Sequence, residues 1–276
     1  MPKTHSLIDK TILITGGTDG IGKETARQLA LMDAHVILHG RNSEKLKMVR
    51  EEIISFSSNE KIDIMISDFA SMDQVRSLAD QVRSQYHHLD VLINNAGMYT
   101  TRKQISPDGF ELTFAVNHLS HFLLTRLLLD LIKASAPARI ITVSSSAHFD
   151  ADFDITDLNA EKKFDGWNAY CVSKLANLLF TFALARRLKG SGVTANSLHP
   201  GFIRTNILGK HFANQKPVEE GAETPVYLAS SPDVAEVSGE YYVRKQISPP
   251  SELSRNESLQ EEFWEISEKL TSLKNK

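Results

Sequence analysis

Runs of apolar, often branched residues recur along the chain: "TILIT" (Thr11 to Thr15), "HVILHG" (His35 to Gly40), "IDIMIS" (Ile62 to Ser67), "VLINNAG" (Val91 to Gly97), "RIITVSS" (Arg139 to Ser145) and "VTANSLHPG" (Val193 to Gly201). A seventh is "EYYV" (Glu240 to Val243). They are apolar at nearly every position, as strands of a parallel sheet are when both faces are covered. Helix-like stretches lie between them near 21–32, 43–55, 71–86, 108–133 and 167–189. This alternation predicts an α/β fold with a doubly wound parallel sheet and helices on both faces.

No repeat, low-complexity tract or Pro/Gly/Ser-rich linker divides the chain, so 1–276 reads as a single domain, with 244–276 as a C-terminal extension of it. Within that extension "SLQEEFWEISEKLTSL" (Ser258 to Leu273) reads as a capped amphipathic helix. Leu259, Phe263, Ile266 and Leu270 fall on one side, expected to pack against the body. Two irregular stretches, His148 to Gly166 and Phe202 to Gly221, would flank the carboxyl edge of the sheet, where ligands bind in open α/β folds.

Composition narrows the partners. Cys171 is the only cysteine, so no internal disulfide can form, which fits a reducing compartment. The net charge of -3 is spread along the chain and leaves no basic patch for nucleic acid or anionic lipid. The opening "MPKTHSLIDKTILITGG" has too short an apolar run for a signal segment or a membrane span. A cytoplasmic protein acting on a small molecule is expected.

"TGGTDGIG" (Thr15 to Gly22) follows the first strand and opens the first helix. Glycines at 16, 20 and 22 let the backbone turn tightly, approach a pyrophosphate and pack helix on sheet, while the helix amino end favours negative charge. The strand-turn-helix setting separates this motif from an ordinary glycine loop and predicts a nucleotide site.

"AYCVSKLANLLFTFALARRL" places Tyr170 four residues before Lys174 at the head of a nearly all-apolar helix. That spacing brings the two onto one face about 6 Å apart along the axis. Taken alone, the pair also fits a core tyrosine beside a lysine that snorkels to solvent. Cys171, between them, reads as a small buried residue, and no histidine motif accompanies it. His118 and His121 read as helix-face residues, and no metal-ligand spacing is present.

The chain resembles the single-domain short-chain dehydrogenase/reductase family. The resemblance is carried by TGxxxGxG at Thr15 to Gly22, "NNAG" at Asn94 to Gly97, Asn117 in "AVNHLSHF", "VSSSAH" at Val143 to His148, "YCVSK" at Tyr170 to Lys174 and "HPG" at His199 to Gly201. Each motif is loose by itself, whereas six in this order are specific. The flavour of "RNSEKL", "NNAGM" and the Tyr170 helix is similar to the retinol-dehydrogenase-like branch. The resemblance implies a seven-stranded Rossmann-type sheet, a nicotinamide cofactor, and a catalytic set of Asn117, Ser145, Tyr170 and Lys174.

In that set Tyr170 exchanges a proton with the substrate oxygen, and a neighbouring cation is needed because a phenol's ordinary pKa of about 10 suits neutral pH poorly. Lys174 supplies the cation and binds the nicotinamide ribose. Ser145, rather than Ser144 or Ser146, would polarise the carbonyl. A serine at a strand end also fits a helix cap. Asn117, a poor helix former in an apolar helix, would anchor a water leading to the lysine.

The resemblance also implies the cofactor contacts. Gly16, Thr18, Asp19, Gly20, Ile21 and Gly22 would surround the pyrophosphate. Asp68 would meet the adenine amino group or cap the next helix, and Asn94, Ala96 and Gly97 would line the adenosine side. Pro200, Gly201, Ile203 and Thr205 would close on the nicotinamide end beside Tyr170 and Lys174. Where NAD-preferring relatives carry an acid at the end of the second strand, this chain has Gly40 followed by Arg41 and Asn42, so NADP(H) is expected over NAD(H). Against this, Thr18 and Asp19 stand where many NADP-dependent relatives carry a basic residue.

The implied reaction interconverts a hydrophobic carbonyl compound and an alcohol. The alternative is a non-catalytic NADP(H)-binding sensor or scaffold, usually marked by loss of the tyrosine, lysine or serine; all three are present. The apolar helices around 110–132 and 170–185 resemble those that pair in family dimers and tetramers, so a homodimer or homotetramer is expected, although core burial also accounts for them.

Overall fold

A computed structural model describes residues 6–203 and 216–273. The chain runs β1 (Thr11–Ile14), α1 (Gly20–Ala30), β2 (His35–Gly40), α2 (Ser43–Ser57), β3 (Ile62–Ile66), α3 (Met72–Gln85) and β4 (Val91–Asn94). It continues through a short α4 (Leu112–Phe114), a π-helical turn (Ala115–Leu119) and α5 (Ser120–Ala134) to β5 (Ala138–Val143), α6 (Gly166–Arg187) and β6 (Val193–His199). Last come α7 (Val218–Ser230), β7 (Tyr241–Val243), β8 (Gln246–Ile247), α8 (Glu252–Arg255) and α9 (Glu257–Leu270).

The sheet order is β3-β2-β1-β4-β5-β6-β7-β8. Strands β1 to β7 are parallel, as expected. The unanticipated β8 pairs antiparallel with β7 through Arg244 and Lys245, both at positive φ, which matches the twist of a two-residue hairpin turn. The order reverses between β1 and β4, opening a crevice at their carboxyl ends. Leu13 at the centre of β1 pairs with Ile37 and Leu92 in parallel register and is fully buried with them.

Two elements depart from the sequence reading. Helix α7 occupies part of a stretch expected to be irregular and carries Pro225 inside it. Glycine and proline both disfavour a helix, but close packing overrides the propensity: a Cβ on Gly221 would lie 2.8 Å from Ile203 and 2.9 Å from Ile21.

The C-terminal helix does lie against the body, but its buried stripe is Gln260, Phe263, Trp264, Ser267 and Glu268, with Leu259, Ile266 and Leu270 at the margin. Trp264 sets that rotation. Its ring packs on Phe122 (centroids 5.0 Å apart) and Phe180 (5.9 Å), while the Arg187 guanidinium sits 4.0 Å from its centroid. Arg126 pairs with Glu268 at 2.8 Å, and Arg186 and Arg187 both reach Glu261. Much of the apolar face of α6 that prompted the expectation of subunit pairing is therefore covered by α9, which meets α5 at Phe122 and Arg126. Among the described residues one helical stretch, Leu112–Ala134, is long and apolar enough to cross a membrane, and most of it is buried in the molecule.

Candidate active site

The carboxyl ends of β1 and β4 meet in one interlocked turn. Gly16 has φ +68°, and a Cβ there would lie 2.8 Å from the Ala96 Cα; at Gly22 it would fall 2.3 Å from the Gly16 carbonyl oxygen. Asp19 caps α1, its carboxylate accepting the Gly20 N–H at 2.8 Å, so the helix begins beside the crevice with its positive end outward. Asn95, absent from the expected set, fastens the turn: its Nδ2 donates to the carbonyls of Thr15 (2.8 Å) and Gly16 (3.2 Å). Ala96 and Gly97 follow it, partly exposed, at the crevice.

Asn94 was expected to face the adenosine. Its side chain instead turns into the core, fully buried, and donates to Thr125 Oγ1 at 2.9 Å. Neighbouring strand residues point to opposite faces, so of the paired asparagines only one can serve the turn.

At the end of β2, Arg41 is exposed and makes no ion pair among the described residues. A Cβ on Gly40 would lie 2.7 Å from Thr18 Cγ2, so a side chain there would displace Thr18. Asn42 caps α2 through a bond from the Lys45 N–H at 2.9 Å, and Lys45 Nζ reaches Asp19 Oδ2 at 2.7 Å, tying α2 to the glycine turn. Asp68 accepts the Ala70 N–H at 2.9 Å, a local turn bond; the cap of α3 is Ser71. Ile21 and Ile203 meet at Gly221, and Pro200 and Gly201 end β6, with Gly201 at φ +101°. Thr205 lies outside the described residues.

The expected catalytic residues converge at the end of β5. Lys174 is 3% exposed, so it does not snorkel; its Nζ donates to the Val143 carbonyl at 3.1 Å and lies 5.5 Å from the centroid of the Tyr170 ring. Burial pushes the Lys174 amine down to about 8. It pushes the Tyr170 phenol up to about 12, against a hydrogen bond with Ser145 that acts in the other direction. Protein groups alone thus favour the neutral phenol, the form that donates a proton.

Packing sorts the three serines. The Ser144 hydroxyl, buried, donates to the Lys174 carbonyl at 2.7 Å and anchors α6. Ser145 faces Tyr170 and caps a short 3₁₀ turn, accepting the Ala147 N–H at 3.2 Å, so the capping and site-facing readings hold for one residue. The Ser146 N–H donates to His199 Nδ1 at 3.2 Å. His148 Nδ1 donates to the Ser145 carbonyl at 2.6 Å and its Nε2 accepts the Ser251 N–H at 3.1 Å. These two histidines brace the serine segment from behind, a role whose only sequence signal is their place in the "SSSAH" and "HPG" motifs.

Asn117 sits in the π-helical turn, where the Ser120 N–H reaches back to the Ala115 carbonyl, and is fully buried. Its amide accepts the Met98 N–H at 2.7 Å and donates to the Met98 carbonyl (2.9 Å) and Ser173 Oγ (3.0 Å). The side chain is thereby fixed between β4 and α6. Around Tyr170 stand Trp167, stacked at 5.8 Å, and Tyr99, edge-on at 6.1 Å, while Phe149 and Phe202 are more than half exposed nearby in sequence to the serine segment and to the end of β6. Cys171 is buried, as expected, with its thiol pushed up to about 12 by burial. No cluster of three metal-ligating side chains occurs among the described residues.

The family profile described as short chain dehydrogenase matches residues 10–216. Human Retinol dehydrogenase 14 is 40% identical, with 96% of this chain and 87% of that protein covered, and human Retinol dehydrogenase 13 is 39% identical over 99% and 87%. A solved structure of an uncharacterized protein from Mycobacterium paratuberculosis superposes with a TM-score of 0.84 at 32% identity, covering 98% of this chain and 96% of that one. The Pseudomonas aeruginosa RhlG/NADP active-site complex does so with a TM-score of 0.72 at 25% identity, over 87% and 96%. With the glycine turn, the Asn117 turn and the Tyr170–Lys174 pair brought to one sheet edge, and relatives matched over nearly the whole chain, the protein belongs to the short chain dehydrogenase family, in its retinol-dehydrogenase-like branch, as an alcohol/carbonyl oxidoreductase.

Proposed function

We propose that the chain interconverts a hydrophobic aldehyde or ketone and its alcohol with NADP(H), using Tyr170 as general acid and base. The observation that carries this reading is the Tyr170 ring set 5.5 Å from the buried Lys174 ammonium at the carboxyl end of β5, the strand end that carries Ser145. The residues present suit the cofactor. The interlocked turn from Gly16 to Gly22 would receive the pyrophosphate, Arg41 the 2′-phosphate, and Lys174 the nicotinamide ribose. When bound, the reduced nicotinamide supplies hydride.

As negative charge develops on the substrate oxygen, Ser145 donates a hydrogen bond to it and Tyr170 delivers its phenolic proton. In the oxidation direction the phenol must first lose that proton, and the burial that raises its pKa makes this step dependent on the Lys174 charge. Lys174, its own pKa lowered to about 8, is close to the point at which it gives up or takes a proton near neutrality. The aromatic side chains of Trp167 and Tyr99 beside Tyr170 favour an apolar substrate over a highly charged one. The buried free thiol of Cys171 is in keeping with a cytoplasmic, reducing location.

The test is NADPH consumption with a panel of aliphatic aldehydes, ketones, retinaldehyde and steroid ketones. Tyr170→Phe should retain NADPH binding and lose turnover of the carbonyl that the wild type reduces fastest. Unchanged turnover would sink the mechanism, and a wild type silent on the whole panel would sink the substrate class.

A further inference from the structure

We infer that His121 is a positioning residue that couples the Asn117 turn to the glycine-rich turn. The inference rests on the reading just proposed, in which one turn receives the cofactor and the other serves the catalytic set. His121 stands on the first turn of α5, four residues after Asn117, and is 1% exposed. Its Nδ1 lies 3.0 Å from the Asn117 carbonyl oxygen and its Nε2 lies 3.0 Å from Thr15 Oγ1.

The proton positions follow from the partners. A carbonyl only accepts, so Nδ1 carries the ring proton. Burial holds the ring neutral, its pKa lowered to about 3, so Nε2 is bare and accepts the Thr15 hydroxyl proton. Thr15 Oγ1 in turn accepts the N–H groups of Asn95 (2.9 Å) and Ala96 (3.0 Å). The alternative acceptor for the Thr15 proton, the Ile93 carbonyl, is farther at 3.3 Å. The opposite tautomer would set the bare Nδ1 against the Asn117 carbonyl, two buried acceptors with no proton between them.

One chain of bonds therefore runs from the Asn95–Ala96 backbone through Thr15 and His121 to the Asn117 carbonyl. The ring cannot swing out of it, because Phe69 meets it edge-on at 5.5 Å and is itself stacked on His39 at 4.2 Å. The Asn117 side chain is held by Met98 and Ser173, and the His121 ring adds a bond to the carbonyl of the same residue. The strand end that would cradle phosphate and the turn beside the lysine are then one rigid unit.

Two near-isosteres separate the two contacts. His121→Asn keeps an amide donor close to the position of Nδ1, toward Asn117, and gives up the reach to Thr15; His121→Gln does the reverse, and His121→Leu removes both. NADPH binding is read by nucleotide fluorescence without substrate, kcat with the best carbonyl of the panel above, and folding by Tm. His121→Asn should weaken NADPH binding roughly 5- to 10-fold and lower kcat less, and His121→Gln should lower kcat by a similar factor and affect NADPH binding less, the size expected for one buried hydrogen bond. His121→Leu should show both losses. Ring-nitrogen NMR of the wild type should find Nδ1 protonated. Asn and Gln variants that lose binding and kcat in step with Tm, a Leu variant like the wild type, or an Nε2-protonated ring would overturn the coupling alone. A wild type that fails to bind NADPH would overturn the functional reading and the coupling with it.

Discussion

The Lys174 ammonium donates to the carbonyl of Val143, two residues before Ser145, at 3.1 Å, while the carbonyl of Lys174 itself accepts the Ser144 hydroxyl at 2.7 Å. Helix α6 is thus stitched to the end of β5 from both ends of one residue, and the amine is held where water does not reach it.

A pH dependence of stability follows. The folded pKa of Lys174, about 8, is below its ordinary 10.5, so between these values the unfolded chain binds more protons than the folded one and stability rises with pH. The contribution is full above 10.5 and lost as pH falls through about 8. In urea unfolding between pH 7 and 11, the wild type minus Lys174→Met difference should carry this slope; a flat difference would show that the amine is not desolvated in the fold.

The serine assignments separate by measurement. Ser145→Ala should lower kcat about 100-fold, the scale of one lost donor to a developing oxyanion. Ser144→Ala should act on stability instead, by about 1 kcal/mol, because a buried hydrogen bond between β5 and α6 is lost. A Ser144→Ala variant with the larger kcat loss would exchange the two roles.

Cofactor preference turns on Arg41. Arg41→Ala should raise the NADPH Kd roughly 10-fold or more and leave the NADH Kd nearly unchanged, since only NADPH carries the 2′-phosphate. Gly40→Asp is a poorer test, because its Cβ would strike Thr18 in the glycine turn. Titration of both nucleotides by fluorescence distinguishes the outcomes, and equal losses would remove Arg41 from the phosphate site.

The α9 contact should be worth a large share of the folding free energy. Trp264→Ala should cost about 3–5 kcal/mol in chemical unfolding, the usual price of emptying a buried aromatic site. A cost under about 1 kcal/mol would mean that the helix docks weakly.

Beneath that helix, His118 is buried between Phe114 and Phe263, with its pKa lowered to about 3 by desolvation. Its folded pKa is below the unfolded 6.5, so its contribution to stability is complete above 6.5 and falls away as pH drops toward 3. His118→Leu should flatten part of the acid limb of the stability curve; an identical limb would place the acid sensitivity elsewhere.

The seven parallel strands were legible from periodicity because strands covered on both faces are apolar throughout, and that signal is local. The glycine turn was legible for a related reason: close backbone approach at Gly16 and Gly22 admits no other residue. Helix α7 was not, since Gly221 and Pro225 argue against a helix that close packing on Ile21, Ile203 and the core sustains. In α9 the apolar pattern picks out Leu259, Phe263 and Leu270, which do pack on the core, but not Trp264, which is bracketed by Arg126 and Arg187.

For the site residues, chain order alone sets out the chemical types: a glycine turn, a serine run, a tyrosine one helical turn before a lysine. Tertiary structure alone decided that Ser144 is spent on α6 while Ser145 faces Tyr170, that Asn94 turns inward and Asn95 holds the turn, and that Lys174 is buried rather than snorkelling. Local pattern records what each segment prefers, whereas hydrogen-bond partners and burial depend on residues far along the chain that only the fold brings within reach, as His121 and Thr15 are brought together across 106 positions.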